Sequence, residues 1–278
     1  MLSHLNNHYN KNRISFDFTA PNKVPKAFPY DKLKELIDKT PTARDKLILM
    51  FLAFGGKRIY EITHLFIQDI IVKNKQLKVR IAHPQYSYFE WYDNEKLIKS
   101  TREEYLKKVF NLNPRNTLDK STKFAGWKGM SFDDEYLKMS EIYFICNVEK
   151  ILYELHLEYF NTIRKHFNHH PYYFINKNGE PLTISGMNKV FYRACKRIGL
   201  NDFSTNLGTS PHALRHFFGF YCVDILEIDL ILVQKYMGHS SIMATQIYAN
   251  ISKKKAKEII LKTKENNKID FSKGDKDV

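Results

Sequence analysis

The segment ARDKLILMFLAF, residues 43–54, constrains the fold more than any other stretch. Pro41 and Thr42 open it and Gly55-Gly56 closes it, the arrangement that begins and ends an α-helix. Strongly apolar, it belongs in a packed interior. The chain has the material for one, since 43% of its residues are hydrophobic and 14% aromatic. At 278 residues it can bury one large core, or form one domain with a small appendage.

Around this helix the patterning is mixed. YDKLKELIDKT precedes it with helical periodicity, and Ile59, Ile62, Leu65 and Phe66 follow at helical spacing. DIIVKNKQLKVRIAHP predicts two strands around an Asn74-Lys75 turn. Residues 84–126 are polar, aromatic and irregular and read as an insertion, after which GWKGMSF and EIYFICN look extended. Helix returns in VEKILYELHLEYFNTIRKHF, and PYYFINKNGEPLT reads as a short extended piece with an Asn178-Gly179 turn. Three more helices are predicted over roughly 185–198, 211–226 and 229–248. The expected architecture is α+β, a mainly helical domain over 28–252 carrying a small antiparallel sheet. A flexible lead-in, 1–27, precedes it, and a basic C-terminal helix and tail, 253–278, follow.

Several function classes are disfavoured. No apolar run approaches the roughly 20 residues that span a bilayer. The start of the chain is polar, without an apolar signal core, so a cytoplasmic protein with no membrane partner is expected. Cys146, Cys195 and Cys222 are odd in number and form no CxxC pair, which favours reduced packing thiols over disulfides or structural zinc. His166, His169 and His170 lie in a basic stretch without nearby Cys or acidic partners, and a solvated loop is the reading. The 44 Lys and Arg against 30 Asp and Glu give +14, which favours a polyanionic partner through phosphate neutralisation and counterion release. A Lys-rich surface alone would produce the same excess, so charge proposes a partner and names no chemistry.

The chemistry is concentrated in the last third. In SPHALRHFFGFY, Ser210 is placed to cap a helix with Pro211 at its first position, and His212 and Arg215 share a face of the opening turns. A helix N-terminus so equipped is suited to an anion. Twenty-four residues after Arg215, YMGHSSIMATQIYANIS ends one helix at Gly238-His239 and offers Ser240 or Ser241 to cap the next. Tyr248 falls nine residues after His239. This segment resembles the LGHxSxxxTxxYxN signature of the tyrosine recombinases, the phage integrase family, and HALRH resembles their HxLRH box. GGKRIYEITHLFIQDI is similar to the family's first box, with Gly56, Arg58 and Glu61 at the matching positions. Within the family, the likeness is greatest to integrases of mobile elements with a GGKR first box and a later GWKG.

The resemblance implies the tyrosine recombinase (DNA breaking-rejoining) fold and a set of roles. A phosphodiester repels nucleophiles, and charge grows on its non-bridging oxygens as it reacts. Two fixed guanidinium forks match that geometry. Arg58 and Arg215 are implied as the forks, supported by Glu61, with His239 as a further hydrogen-bond donor. Tyr248 is implied as the nucleophile. With an ordinary phenol pKa near ~10 it needs a proton acceptor, for which His212 is the candidate. The family also uses a hairpin lysine to protonate the leaving 5′-oxygen. Lys128 in GWKGM is the leading candidate, with Lys123 and Lys138 as competitors. The implied product is a 3′-phosphotyrosine, formed without metal or nucleotide cofactor. Double-stranded DNA is the implied substrate, within the bacterial nucleoid. Self-association into a synaptic tetramer and contact with accessory proteins are the implied partnerships.

Family members carry a helical domain of about 90 residues or more before the catalytic one, and here only some 25–30 residues precede the first predicted helix. Truncation, docking of the lead-in on a partner, and a reduced DNA clamp are the readings open. The basic C-terminal segment could pass to a neighbouring subunit or pack on its own. A type IB topoisomerase and a non-catalytic DNA-binding accessory protein stand as alternatives to a recombinase.

Overall fold

The computed structural model describes residues 26–119 and 121–248. The lead-in up to residue 25 and the basic segment at 253–278 therefore lie outside the described residues.

At the centre is the apolar helix. Helix α1 (Tyr30–Asp38) leads into α2 (Ala43–Ala53), whose N-cap Thr42 accepts a hydrogen bond from the Asp45 amide at 3.2 Å. From Leu47 to Ala53 every side chain of α2 is buried, so the helix is enclosed on all sides rather than laid on a surface. The chain then turns at Gly56 (φ 60°), where a Cβ would stand 2.5 Å from the Phe218 ring. Glycine there serves both backbone and close packing. The short helix α3 (Ile59–Thr63) follows.

Strands β1 (Ile70–Lys73) and β2 (Gln76–Ala82) form the predicted hairpin, with Asn74 and Lys75 at φ 52° and 58° in its turn. Ile70 opposes Val79 and Lys73 opposes Gln76. In β2 the side chains of Leu77, Val79 and Ile81 point inward while Gln76, Lys78 and Arg80 face solvent, the period of a half-buried strand.

Residues 84–126 are irregular only in part. They hold a second hairpin, β3 (Tyr88–Asp93) and β4 (Lys96–Thr101), turning at Asn94-Glu95, and helix α4 (Arg102–Phe110) capped by Thr101. This unit has its own small core of Phe66, Trp91, Tyr105, Leu106 and Tyr172. Beneath it Arg102 is buried, ion-paired to Asp69 and lying 4.4 Å over the Phe66 ring.

GWKGMSF does not form a strand either. Gly126 and Gly129 leave an open loop, and the third strand, β5 (Met139–Glu141), comes ten residues after Gly129, pairing antiparallel with β2. The sheet order is β1-β2-β5, so everything from His83 to Lys138 connects two adjacent strands.

Helix α5 (Glu149–Thr162) packs on β2 and α2, and α6 (Ile184–Arg197) packs against α1 and α3. Between them His170 is buried, its Nε2 2.8 Å from the Gly179 carbonyl, so it is a packed residue rather than part of a solvated loop. Helix α7 (Pro211–Phe220) crosses α2 and passes into a π-helical turn over Tyr221–Ile225. The helix expected over 229–248 is broken: α8 (Leu230–Met237) ends at Gly238 in the left-handed conformation, and a short 3₁₀ turn, Ile242–Ala244, starts from Ser241. Among the described residues no helix is long and apolar enough to cross a membrane.

Candidate active site

The site is built where α3, α7 and α8 meet. Arg58 occupies the N-cap of α3, and three residues on Glu61 folds back beneath it. Glu61 Oε2 accepts from the Arg58 backbone amide at 2.8 Å, and Oε1 accepts from Arg58 Nη1 at 2.7 Å. The Glu61 side chain has no exposed surface, while 19% of the Arg58 side chain faces solvent. Its carboxylate thus anchors the arginine from below and leaves the guanidinium's outer edge open.

Arg215 reaches the same carboxylate from α7, with Nη1 3.7 Å from Glu61 Oε2. Its other contacts are backbone carbonyls: Nη1 donates to Gly56 at 2.5 Å and Nη2 to Met237 at 2.7 Å. Burial lowers its pKa to about 10, still cationic near neutrality. Lys57 is likewise buried, donating to the Tyr236 carbonyl at 2.7 Å, and burial pulls its pKa down to about 8. The last two carbonyls of α8 are therefore gripped by two cations, a favourable placement at the negative end of a helix. Among the described residues no second carboxylate ion-pairs Arg58 or Arg215. The charge in this corner is in surplus.

A cleft of about 410 Å³ opens above it, lined by Lys57, Arg58, Tyr60, Lys128, Ser210 and His212, with others. Ser210 holds the N-cap position of α7 and Pro211 the first helical one, although no side-chain capping bond forms. Burial, with Arg215, Arg58 and Lys128 nearby, drives the His212 pKa down to about 4, so its imidazole is neutral. Lys128 is an exposed member of this lining. Its competitors lie elsewhere, in surface ion pairs: Lys123 with Glu180 at 2.6 Å and Lys138 with Glu135 at 2.9 Å.

His239 and Tyr248 lie behind the cleft. Nδ1 of His239 sits 2.8 Å from Thr245 Oγ1, and burial lowers its pKa to about 3. Tyr248 is 1% exposed, and burial raises its pKa to about 12. Its hydroxyl is hydrogen-bonded to His216 Nδ1 at 3.0 Å, and not to His212. The seven sequence candidates thus fall into two groups. Arg58, Lys128 and His212 border the cleft, while Glu61, Arg215, His239 and Tyr248 are buried around it.

Sequence reasoning passed over three residues here. Lys57 and His216 sit inside the GGKR and HALRH boxes without an assigned role, and Thr245 lies three residues before Tyr248. Adjacency to Arg58 and Arg215 was the available signal for the first two. Their partners lie 179 and 32 residues away, beyond any local pattern.

Residues 135–255 match the sequence profile described as the phage integrase family. Over this stretch, less than half of the chain, the sequence is similar to that family. Among curated relatives, the tyrosine recombinase XerA of Pyrococcus horikoshii is 25% identical over 250 residues, 88% of this chain and 63% of the relative. The tyrosine recombinase XerC of Leptospira interrogans is 35% identical over 91 residues, 32% of this chain and 27% of the relative. Of solved structures, the XerH site-specific recombinase in a post-cleavage complex with palindromic difH substrate aligns with a TM-score of 0.52 at 22% identity. The alignment covers 86% of this chain and 53% of that one. The Tn1549 transposon integrase bound to transposon right end DNA aligns at 0.52 and 16% identity, over 82% and 62% of the two chains. The chain thus spans less than two thirds of each. The α+β architecture is that of tyrosine recombinase catalytic domains.

Proposed function

We propose that the chain is a site-specific DNA recombinase or integrase that cuts and rejoins double-stranded DNA through a 3′-phosphotyrosine at Tyr248, in the service of a mobile element. The observation that carries the reading is the cation surplus around Glu61, where two fixed guanidiniums share one buried carboxylate beside an open cleft. A scissile phosphate seated between Arg58 and Arg215 would complete that charge balance. Each such donor is typically worth ~3–4 kcal/mol of barrier lowering. Thr245 donating to Nδ1 of His239 would leave Nε2–H free for a non-bridging oxygen. His212, neutral in the free protein, is the acceptor for the phenol proton, and Lys128 is the donor to the leaving 5′-oxygen. The named relatives and structures are recombinases and integrases, two of the structures being complexes with difH substrate and with transposon end DNA, which agrees with a DNA substrate. Synaptic self-association would supply the second strand pair.

The test is incubation with a nicked suicide duplex carrying the ends of the element that encodes the chain. Wild type is expected to give a denaturation-resistant protein–DNA adduct and Tyr248→Phe none. An equal adduct from Tyr248→Phe would refute the nucleophile assignment, and relaxation of an arbitrary supercoiled plasmid would favour a topoisomerase.

A further inference from the structure

Gly219 lies inside α7, without the left-handed backbone that would demand glycine. An interior helical glycine costs about 1 kcal/mol against alanine, so its presence needs another reason. The reason is space for one ring. A Cβ on Gly219 would stand 2.4 Å from Cζ of Tyr248, and 2.6 and 2.7 Å from its two Cε atoms, closer than side chains pack. The phenol therefore lies flat across Gly219. One turn earlier on the same helix, His216 Nδ1 takes its hydroxyl, and Phe220 stands edge-on to the ring at 5.0 Å between centroids and 86°. These three residues form a slot with a floor, a wall and a polar end.

The seating is incompatible with attack. A nucleophile must come within roughly 3–3.5 Å of the phosphorus with its lone pair directed at it. The oxygen of a tyrosine only 1% exposed, already hydrogen-bonded to a protein nitrogen, offers no such approach. The residues lining the cleft include Arg58, Lys128 and His212 but neither Tyr248 nor His216. His212, one turn before His216, has its ring centroid 4.5 Å away, so a phenol released from His216 meets a second imidazole at once.

We propose that His216 and Gly219 are positioning residues that stow Tyr248 off the cleft, and that strand cleavage requires the phenol to leave this slot. The inference rests on Tyr248 as the nucleophile. In the full chain, Gly219→Ala evicts the ring, His216→Phe removes the hydroxyl's hydrogen-bond partner, and His216→Asn restores a polar group near the Nδ1 position. The first measurement is nitration of Tyr248 by tetranitromethane, followed by peptide mass spectrometry. Modification should rise about fivefold in His216→Phe, the scale of one lost hydrogen bond. It should rise further in Gly219→Ala and return towards wild type in His216→Asn. The second is the initial rate of adduct formation on the suicide duplex, which should increase in Gly219→Ala and His216→Phe.

Protection of Tyr248 equal to wild type in both variants overturns the slot. Greater accessibility coupled to slower adduct formation also overturns the proposal, because the seat would then be the firing position. If Gly219→Ala does not fold, the contrast between His216→Phe and His216→Asn decides. No adduct from wild type or any variant would instead sink the nucleophile assignment, a failure visible independently of the nitration result.

Discussion

Two buried arginines in this molecule are treated in opposite ways. Arg102, under the β3–β4 hairpin, has Asp69 to itself, and its ring neighbours are Phe66 and Phe89. Arg215 shares Glu61 with Arg58 and has Lys57 in the same corner. The first arrangement pairs one cation with one anion and faces the interior of a satellite core. The second places three cations around one carboxylate and borders a cleft. Charge stoichiometry, more than burial, separates these two arginines.

The comparison can be broken first at the carboxylates. Removing one partner of a buried ion pair typically costs ~3–5 kcal/mol, because the other charge is left uncompensated. Asp69→Asn and Glu61→Gln should both fall in that range in urea unfolding. They should then part company. Replacing Arg102 by Met together with Asp69 by Leu should recover most of the loss, since an isolated pair can be exchanged for apolar packing. No single cation removal should restore Glu61→Gln, while saturating DNA duplex should.

DNA sharpens the difference at the next level. A ligand at 100 times its Kd stabilises a protein by about 2.7 kcal/mol. A short duplex should raise the unfolding midpoint of wild type, and Arg58→Ala should lose a share of that gain and lower the salt dependence of binding by about one phosphate contact. The Arg102→Met, Asp69→Leu protein should keep both in full. Equal losses in the two variants would erase the distinction.

Acid provides the smallest effect. Burial depresses the pKa of His212 to about 4 and of His216 and His239 to about 3. The unfolded chain takes up these protons near pH 6.5 and the folded one does not, so the stabilisation is complete above 6.5 and lost as pH falls towards 4 or below. The expected loss is roughly 1 kcal/mol for each of the buried His216 and His239 over the first pH unit below 6.5, and less for His212, which is exposed and screened by solvent. Bound DNA should reduce it for these three, and leave unchanged the contribution of His64, near the satellite core, whose pKa is lowered to about 3. Denaturant midpoints at pH 7.0 and 5.5, with and without duplex, measure this.

Some of this was legible beforehand. The enclosed α2, the Asn74-Lys75 hairpin and the break at Gly238 follow from local rules about apolar runs, turns and caps. The β3–β4 hairpin escaped because Tyr88, Phe89, Trp91 and Tyr92 lack a clean alternation, and only Trp91 of the strand is buried. GWKGMSF misled in the other direction, since its apolar residues pack from a loop. The boxes placed Arg58, Glu61 and His212 at one corner. The distinction between cleft-lining and buried members depends on packing between residues far apart in sequence, and so does the bond from Tyr248 to His216.

The double grip on α8 has a consequence for how the protein comes into being. Lys57 and Arg215 hold carbonyls at 236 and 237, so the corner closes through contacts separated by 179 and 22 residues. A nascent chain emerging from the ribosome can complete α2, the sheet and α7 while Arg215 still lacks its second anchor. The charged corner therefore matures late in synthesis, and a chain stalled before residue 236 would carry a folded scaffold with that corner unfastened.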